Sequence, residues 1–216
     1  NIIRDARLTN TIGGMGFDRA NVLRLTDISL GADGSLLVLD SAARSVKSFS
    51  PEGAYLSEIA LDWIAQPELL CQNPDQTLYI YDSSGSEIIC LSALDNQELF
   101  RFGKFQLQLI TALSCSRDHV IAYSSVTGKS TVYSSLGQLI RVLDGYWISD
   151  NYRNVLKLTS NSGAQFSVIS GSPETPEDWS PSTGRLPVSM DVMGKYLCVA
   201  EQDRIQIYDL IYQVAP

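Results

Sequence analysis

The sequence lacks most of the residues and patterns that mark familiar chemistry. It has a single histidine, and its four cysteines form no Cys-x-x-Cys pair, so no zinc or thioredoxin-type motif is indicated and buried free thiols are expected. No Gly-x-Ser-x-Gly elbow, phosphate-binding glycine loop or His-Glu-x-x-His helix occurs. No run approaches the roughly 18 consecutive apolar residues of a membrane-spanning helix. We therefore expect no cofactor and no membrane span.

Basic residues are also scarce. Sixteen Lys and Arg stand against 24 Asp and Glu, which gives a net charge of −8 and a pI near 4.6. Binding to a phosphate backbone needs clustered basic side chains, so we expect no nucleic-acid partner. Low lysine content, abundant serine and a first residue, Asn1, that is not Met suit an exported protein, periplasmic or extracellular. An artificial boundary of the chain explains Asn1 equally well.

The sequence does contain an internal repeat of about 42 residues. The stretch "DGSLLVLDSAARSVKSFSPEG" from Asp33 aligns with "DQTLYIYDSSGSEIICLSALD" from Asp75, which places Asp40 on Asp82. The stretch "HVIAYSSVTGKSTVYSSLG" follows after the same interval, and "KYLCVAEQDRIQIYDL" repeats the pattern near the end. Room for one degenerate unit remains between these two, so the count is about five.

Each clear unit has four short strand-like runs separated by turns, and helical periodicity is absent. Four antiparallel strands in about 40 residues are typical of a β-propeller blade. We predict an all-β chain that forms one β-propeller domain over residues 1–216, with about five four-stranded blades and an irregular blade at about 144–187. The run at 6–14 would supply the missing fourth strand of the last blade and close the ring without an exposed edge.

The stretches "GSLLVLDSAARSVKSFSPEGAYL" and "DRIQIYDL" resemble the NHL-repeat family of β-propellers. They share its turn glycine, its apolar run ending in Asp, and its strand of the form Arg-Ile-x-Val-Phe/Tyr. The resemblance covers residues 6–143 and 187–210, and the segment 144–186 departs from it. Members of the NHL-repeat family more often have six blades, so six blades is the alternative prediction for this chain. The resemblance implies an architecture that serves both binding scaffolds and enzymes.

Enzymes in related propellers imply two kinds of metal chemistry. The first kind uses several histidine ligands, and this chain has only His119, so this kind of site is excluded. We expect His119 to be an exposed turn residue. The kind that resembles gluconolactonases holds a divalent cation on carboxylates in the central channel, and Asp27, Glu68 and Asp82 would offer oxygens to Ca²⁺. Repetition of the Asp40-type residue favours a structural role, because a short acceptor bonds the N–H groups of the following turn. The alternative function is therefore a metal-dependent hydrolase or lactonase.

Aromatic residues lie where the repeat is interrupted. The stretch "GSPETPEDWSPSTGRLP" (171–187) contains Trp179 and no strand pattern, so we expect a long loop. Connections between units carry Trp63 and the pair Tyr146 and Trp147, and also Phe17 and Phe105. These side chains either form a binding rim on the face where the inner strands begin or fill the wedges between blades.

We predict a non-enzymatic scaffold that binds a protein or another macromolecule, alone or as a subunit of a larger assembly. The expected contact residues are Trp63, Tyr146, Trp147 and Trp179.

Overall fold

The computed structural model of the chain describes residues 2–12, 14–16, 18–149, 155–158, 166–168, 177–179, 189–193, 196–200 and 205–213. Within these ranges the regular structure consists of β-strands without a helix, which confirms the all-β class. Accordingly, none of the described residues forms a helix that could cross a membrane. The strands are β1 (Ile2–Ile12), β2 (Leu25–Leu30), β3 (Leu36–Asp40), β4 (Ser45–Phe49), β5 (Tyr55–Ala60), β6 (Pro67–Gln72), β7 (Thr77–Asp82), β8 (Glu87–Ser92), β9 (Glu98–Phe102), β10 (Ala112–Cys115), β11 (His119–Ser124), β12 (Lys129–Ser134), β13 (Leu139–Asp144), β14 (Tyr146–Ser149), β15 (Val155–Leu158), β16 (Phe166–Val168), β17 (Glu177–Trp179), β18 (Ser189–Met193), β19 (Tyr196–Ala200) and β20 (Ile205–Gln213).

Three consecutive units form four-stranded antiparallel sheets in chain order: β2 to β5, β6 to β9, and β10 to β13. We call them the first, second and third sheets. Each strand pairs with the next through a short turn, as the spacing of turn residues predicts. The repeat of four strands per unit is therefore confirmed for residues 25–144.

The two ends of the chain share a further four-stranded sheet, with the order β1-β20-β19-β18. Ile12 lies opposite Ile205 and Ile2 lies opposite Gln213, so β1 occupies the outermost position that the last unit leaves open. This is the pairing expected of the N-terminal strand. The number of blades and the closure of the ring stay predictions.

The irregular unit differs from its sequence-based description in two places. Tyr146 and Trp147 lie in strand β14, which pairs with β15, and not in a connection. The expected loop 171–187 contains strand β17, in which Glu177 pairs with Val168 of β16. Glu and Asp have low strand propensity, so this strand depends on its partner, and the pattern of the segment alone could not reveal it.

Neighbouring sheets meet along their inner strands. Strand β18 contacts β2, β2 contacts β6, β6 contacts β10, and β10 contacts β14. Apolar clusters fill the gaps between the sheets, with Leu39 and Ile80 between the first and second sheets and Val38 and Ile207 between the first sheet and the last. The side-by-side inner strands and the layers between them describe a propeller-like arrangement.

The hinges between the second and third strands repeat in backbone geometry as well as in sequence. Arg44, Ser86 and Gly128 occupy the fourth hinge position of successive sheets, and all three have a positive φ, at 49°, 49° and 66°. Only glycine adopts this left-handed region without a steric penalty, so Arg44 and Ser86 are held there by the surrounding hinge.

This repetition gives a matched pair of substitutions. We expect Ser86→Gly to raise the free energy of unfolding by about 1 kcal/mol and Gly128→Ala to lower it by about 1 kcal/mol, because each changes only the cost of the left-handed conformation. Chemical denaturation monitored by circular dichroism measures both. If both substitutions change the free energy of unfolding in the same direction, the two hinges do not share one geometry.

Candidate functional site

One edge of the first three sheets carries the hinges at 41–44, 83–86 and 125–128. The connections from one sheet to the next, at 61–66 and 103–111, begin and end on the same edge, because Ala60 pairs with Ser45 and Pro67 pairs with Asp82. The inner strands of neighbouring sheets run in the same direction, so these edges lie on a common side. We call this side the hinge face.

Trp63 lies on the hinge face in the connection between β5 and β6, and 44% of its surface is exposed. The guanidinium carbon of Arg101 lies 5.8 Å from the centre of its ring, a cation–π distance. Arg101 also forms ion pairs with Glu87 at 2.9 Å and with Glu98 at 2.7 Å. Hydrogen bonding to Arg101 lowers the pKa of Glu98, so the anion–cation–ring stack remains charged at neutral pH.

Aliphatic side chains, not aromatic ones, fill the wedges between sheets on the hinge face. Leu61 and Ile64 flank Trp63 in sequence and are almost completely buried between the first and second sheets. Leu107 and Ile110 have the same spacing and are buried between the second and third sheets, whereas 89% of Phe105 is exposed. The interpretation of Trp63 and Phe105 as wedge fillers is wrong.

Tyr146 and Trp147 are fixed against the third sheet. The ring of Tyr146 stacks on Tyr123, with centroids 4.5 Å apart and an interplanar angle of 18°. The backbone N–H of Trp147 donates to Ser130 Oγ at 3.0 Å, and its indole Nε1 donates to the carbonyl of Asp144 at 2.9 Å. Both aromatic side chains are partly exposed.

Two of the predicted aromatic side chains lie outside the described part of the chain. Trp179 ends strand β17, and its side chain lies outside the described residues, as does Phe17 as a whole. The structure therefore brings Trp63, Tyr146 and Trp147 to the hinge side of their sheets. The site gains Arg101 with its two glutamates, which sequence reasoning missed because their meeting depends on the register between β8 and β9.

The hinge aspartates serve the backbone. Asp40 is fully buried, and its carboxylate accepts N–H bonds from Leu23 at 2.7 Å, Arg24 at 3.0 Å and Ala43 at 3.1 Å. Asp82 accepts from Gln66 N at 3.1 Å and from Ser84 N at 3.0 Å. These contacts tie each hinge to the segment that leads into the inner strand. The structural role expected of the Asp40-type residue is confirmed.

Asp27 and Glu68, the other carboxylates of the calcium hypothesis, lie on inner strands. Asp27 is 2% exposed, and its Oδ2 accepts the Leu70 N–H of the second sheet at 2.7 Å. Ser29 Oγ accepts Gln72 N two residues further along, so the pair bridges two inner strands. Glu68 is half-buried at a bulge of β6. Among the described side chains, no three His, Cys, Asp or Glu residues are grouped to hold a metal ion.

The single histidine and the cysteines take structural positions. His119 was expected to be an exposed turn residue, but it begins strand β11 and is half-buried, and its backbone N–H donates to Ser116 Oγ at 3.3 Å. Cys71, Cys90 and Cys115 are buried and outside any disulfide, as expected, and Cys198 has no described side chain. Burial raises the pKa of Cys90, which keeps its thiol protonated and unreactive.

Comparisons with known proteins identify the fold alone. No protein-family model matches the chain, so membership of the NHL-repeat family is not supported. No curated protein matches it in sequence. Among solved structures it resembles hydrazine synthase of Kuenenia stuttgartiensis, a protein that contains a β-propeller, with a TM-score of 0.52 and 15% identity over 85% of this chain. The chain spans 58% of the length of that structure. The fold is therefore β-propeller-like.

The role of Asp27 can be tested against the calcium hypothesis. The substitution Asp27→Leu introduces the residue that the second sheet has at the equivalent position, 69. We expect it to lower the free energy of unfolding by about 1–3 kcal/mol, because the buried Leu70 N–H loses its acceptor. Asp27→Asn retains an acceptor oxygen and serves as the control. Thermal unfolding is measured with calcium chloride and with a chelator. If calcium raises the melting temperature of the unchanged chain but not that of Asp27→Leu or Asp27→Asn, the structural role of Asp27 is contradicted.

Proposed function

We propose that the chain is a non-enzymatic scaffold that binds a protein partner through its hinge face. Exposure of Trp63 carries this proposal. Leu61 and Ile64 already fill the wedge beside it, so the fold does not need the indole for packing. A large aromatic side chain that is left on the surface and held in place by a cation is typical of a binding hot spot.

The electrostatics of the hinge face support a polar rim around this anchor. Arg101 is held by Glu87 and Glu98, so its planar guanidinium is already oriented before a partner arrives. Preorganisation of this kind lowers the entropy that binding must overcome. A partner surface with an apolar pocket for Trp63 and neutral acceptors, such as backbone carbonyls, for the remaining N–H groups of Arg101 fits this arrangement.

Tyr146 and Trp147 extend the proposed contact area to the third sheet. Stacking on Tyr123 fixes the ring of Tyr146, and two hydrogen bonds fix Trp147. Rigid aromatic side chains with partly exposed surfaces offer contact area at small entropic cost. Trp179 belongs to the proposed contact set on sequence grounds.

We further infer a ring of about five NHL-like blades that is closed by β1. The pairing of β1 with β20 and the contact of β18 with β2 support the closure, because they link the last unit to the first. Strands β14 to β17 would form the irregular blade, with β14 innermost because it contacts β10.

Quantitative capture experiments test the binding function. Immobilised chain, Trp63→Ala and Trp147→Ala are exposed to the same cell extract, and captured proteins are measured by mass spectrometry. We expect at least one protein to be captured about tenfold less by both variants, since a hot-spot residue contributes about 2 kcal/mol or more. Binding of that protein in purified form then gives the affinity of each variant.

Leu136→Ala is the matched control, because Leu136 is 72% exposed in a turn on the opposite edge of the third sheet. Its capture profile should equal that of the unchanged chain. Circular dichroism should show nearly the same melting temperature for Trp63→Ala. A large loss of stability, or a capture profile that the two tryptophan substitutions leave intact, would refute the proposed hinge-face function.

A further inference from the structure

A cleft of about 160 Å³ opens between the first and second sheets, on the edge opposite the hinge face. The buried floor of the cleft consists mainly of aliphatic side chains, and polar side chains line its walls and its mouth. Asp33, Gln76 and Ser57 are exposed at its mouth, whereas Leu37 and Leu78 are buried. The lining comprises Asp33, Ser35, Leu37, Val46, Ser48, Ser57, Ile59, Gln72, Gln76, Leu78 and Ala93.

The cleft exists because small residues occupy positions where two sheets diverge. On the hinge side, Leu61 and Ile64 close the wedge. On the other side, Ser48 and Ser57 lie directly opposite each other on β4 and β5, and neither side chain is long enough to reach the second sheet. The wedge is therefore filled at one end and open at the other.

The next wedge, between the second and third sheets, shows how the same space is otherwise filled. Register places Tyr79 at the position of Leu37, Phe100 at the position of Ser57, and Phe102 at the position of Ile59. The centroid of the Phe102 ring lies 6.3 Å from that of Tyr79 and 6.2 Å from that of Phe100. The Tyr79 hydroxyl crosses the gap and donates to the Ser135 carbonyl at 3.0 Å.

One side-chain nitrogen in the cleft lining, Nε2 of Gln72, has no partner among the described residues. Gln72 is 9% exposed, and its Oε1 accepts the Ala32 N–H at 3.2 Å. Its Nε2 has no hydrogen-bond partner within the described part of the chain. This nitrogen is not one of the fully enclosed polar atoms that lack a partner, so it is accessible from the cleft, and a ligand oxygen there can accept its N–H group.

A carboxylate at the mouth sets the charge of an acceptable ligand. The Ser35 hydroxyl and backbone N–H hydrogen-bond to Asp33 and lower the pKa of its carboxyl group, which remains ionised at neutral pH. The chain as a whole carries a net charge of −8. Anionic ligands are therefore disfavoured, whereas a neutral hydroxyl group can donate to Asp33 or to the serine hydroxyls.

From these observations we propose that the cleft binds a phenol, that is, one aromatic ring with a hydroxyl group, in the space that Tyr79 and Phe100 occupy in the next wedge. The volume agrees with a single ring, since a cavity of about 150 Å³ holds benzene. The hydroxyl oxygen accepts from Gln72 Nε2, and the ring packs on Leu37, Val46 and Leu78. The phenol is either a free small molecule or the tyrosine side chain of a peptide.

Titration of the full chain with 4-methylphenol, followed by amide NMR signals, tests this site. We expect saturable binding with a Kd on the order of 1 mM for a ligand of this size. Signals of Gln72 and of residues on β4 and β5 should shift. Toluene, which lacks the hydroxyl, and 4-methylbenzoate, which is anionic, should each bind about tenfold more weakly, as expected for one lost hydrogen bond or one like-charge contact. A blocked Gly-Tyr-Gly peptide that binds at the same signals identifies a side-chain source, and binding of 4-methylphenol alone identifies a free phenol.

Substitutions that introduce the aromatic residues of the second sheet into the first locate the site. Ser57→Phe places the ring of Phe100 in the cleft, and we expect it to abolish 4-methylphenol binding and to raise the melting temperature by a few degrees. Leu56→Phe adds the same ring at the neighbouring residue, which is 54% exposed and does not line the cleft, and should leave binding unchanged. Ile59→Phe is a second filling variant, used if Ser57→Phe does not fold.

Three results would overturn the proposal. These are unchanged 4-methylphenol binding in a folded filling variant, toluene binding as tightly as 4-methylphenol, and no saturable binding of any phenol. None of them bears on the hinge face, because Trp63 and Arg101 lie on the other edge and are intact in every variant used.

Discussion

The structure depends on filling the wedges between neighbouring sheets. Contacts between consecutive sheets are concentrated on their inner strands, so the gap between two sheets widens from the centre outwards. Unfilled space in such a gap loses both the hydrophobic transfer energy and the dispersion contacts of its lining. Each wedge therefore needs side chains whose length matches its local width. The choice of these side chains decides where the surface is closed and where it opens.

Hydrogen bonds between side chains of one inner strand and backbone N–H groups of the next fix the spacing that the wedge residues must fill. Asp27 and Ser29 reach from β2 to the N–H groups of Leu70 and Gln72 on β6, which aligns the two inner strands in the same direction. Buried carboxylates that accept backbone N–H bonds are stronger acceptors than neutral groups and leave few alternative arrangements. Because Asp27 links two sheets and Asp82 holds its own hinge, two of the three carboxylates that the metal hypothesis would use are already engaged in the fold.

Local features could be predicted from the sequence, and non-local ones could not. The four-stranded units and the hinge role of Asp40 follow from residues within one unit, because turns and alternation are local signals. Strand β17 escaped prediction because Glu and Asp have weak strand propensity, and β14 because it follows β13 after the single residue Gly145 and was assigned to a connection. The sequence also does not indicate which side chains of a connection point outward. The segment from Leu61 to Ile64 contains three apolar residues, and only the packing shows that Trp63 is the exposed one.

The contrast between the two wedges explains why a repeated architecture can carry local functions. Hinge geometry hardly varies from sheet to sheet, since Arg44 and Ser86 accept a left-handed conformation that Gly128 adopts without strain. The wedge residues vary freely, from Ser57 and Ile59 in one sheet to Phe100 and Phe102 in the next. Exchanging an aromatic for a small residue changes no backbone hydrogen bond, so it opens a cleft without disturbing the repeat. Binding sites in this fold are therefore expected at wedges and connections, where the repeat tolerates exceptions, and not at the hinges that define it.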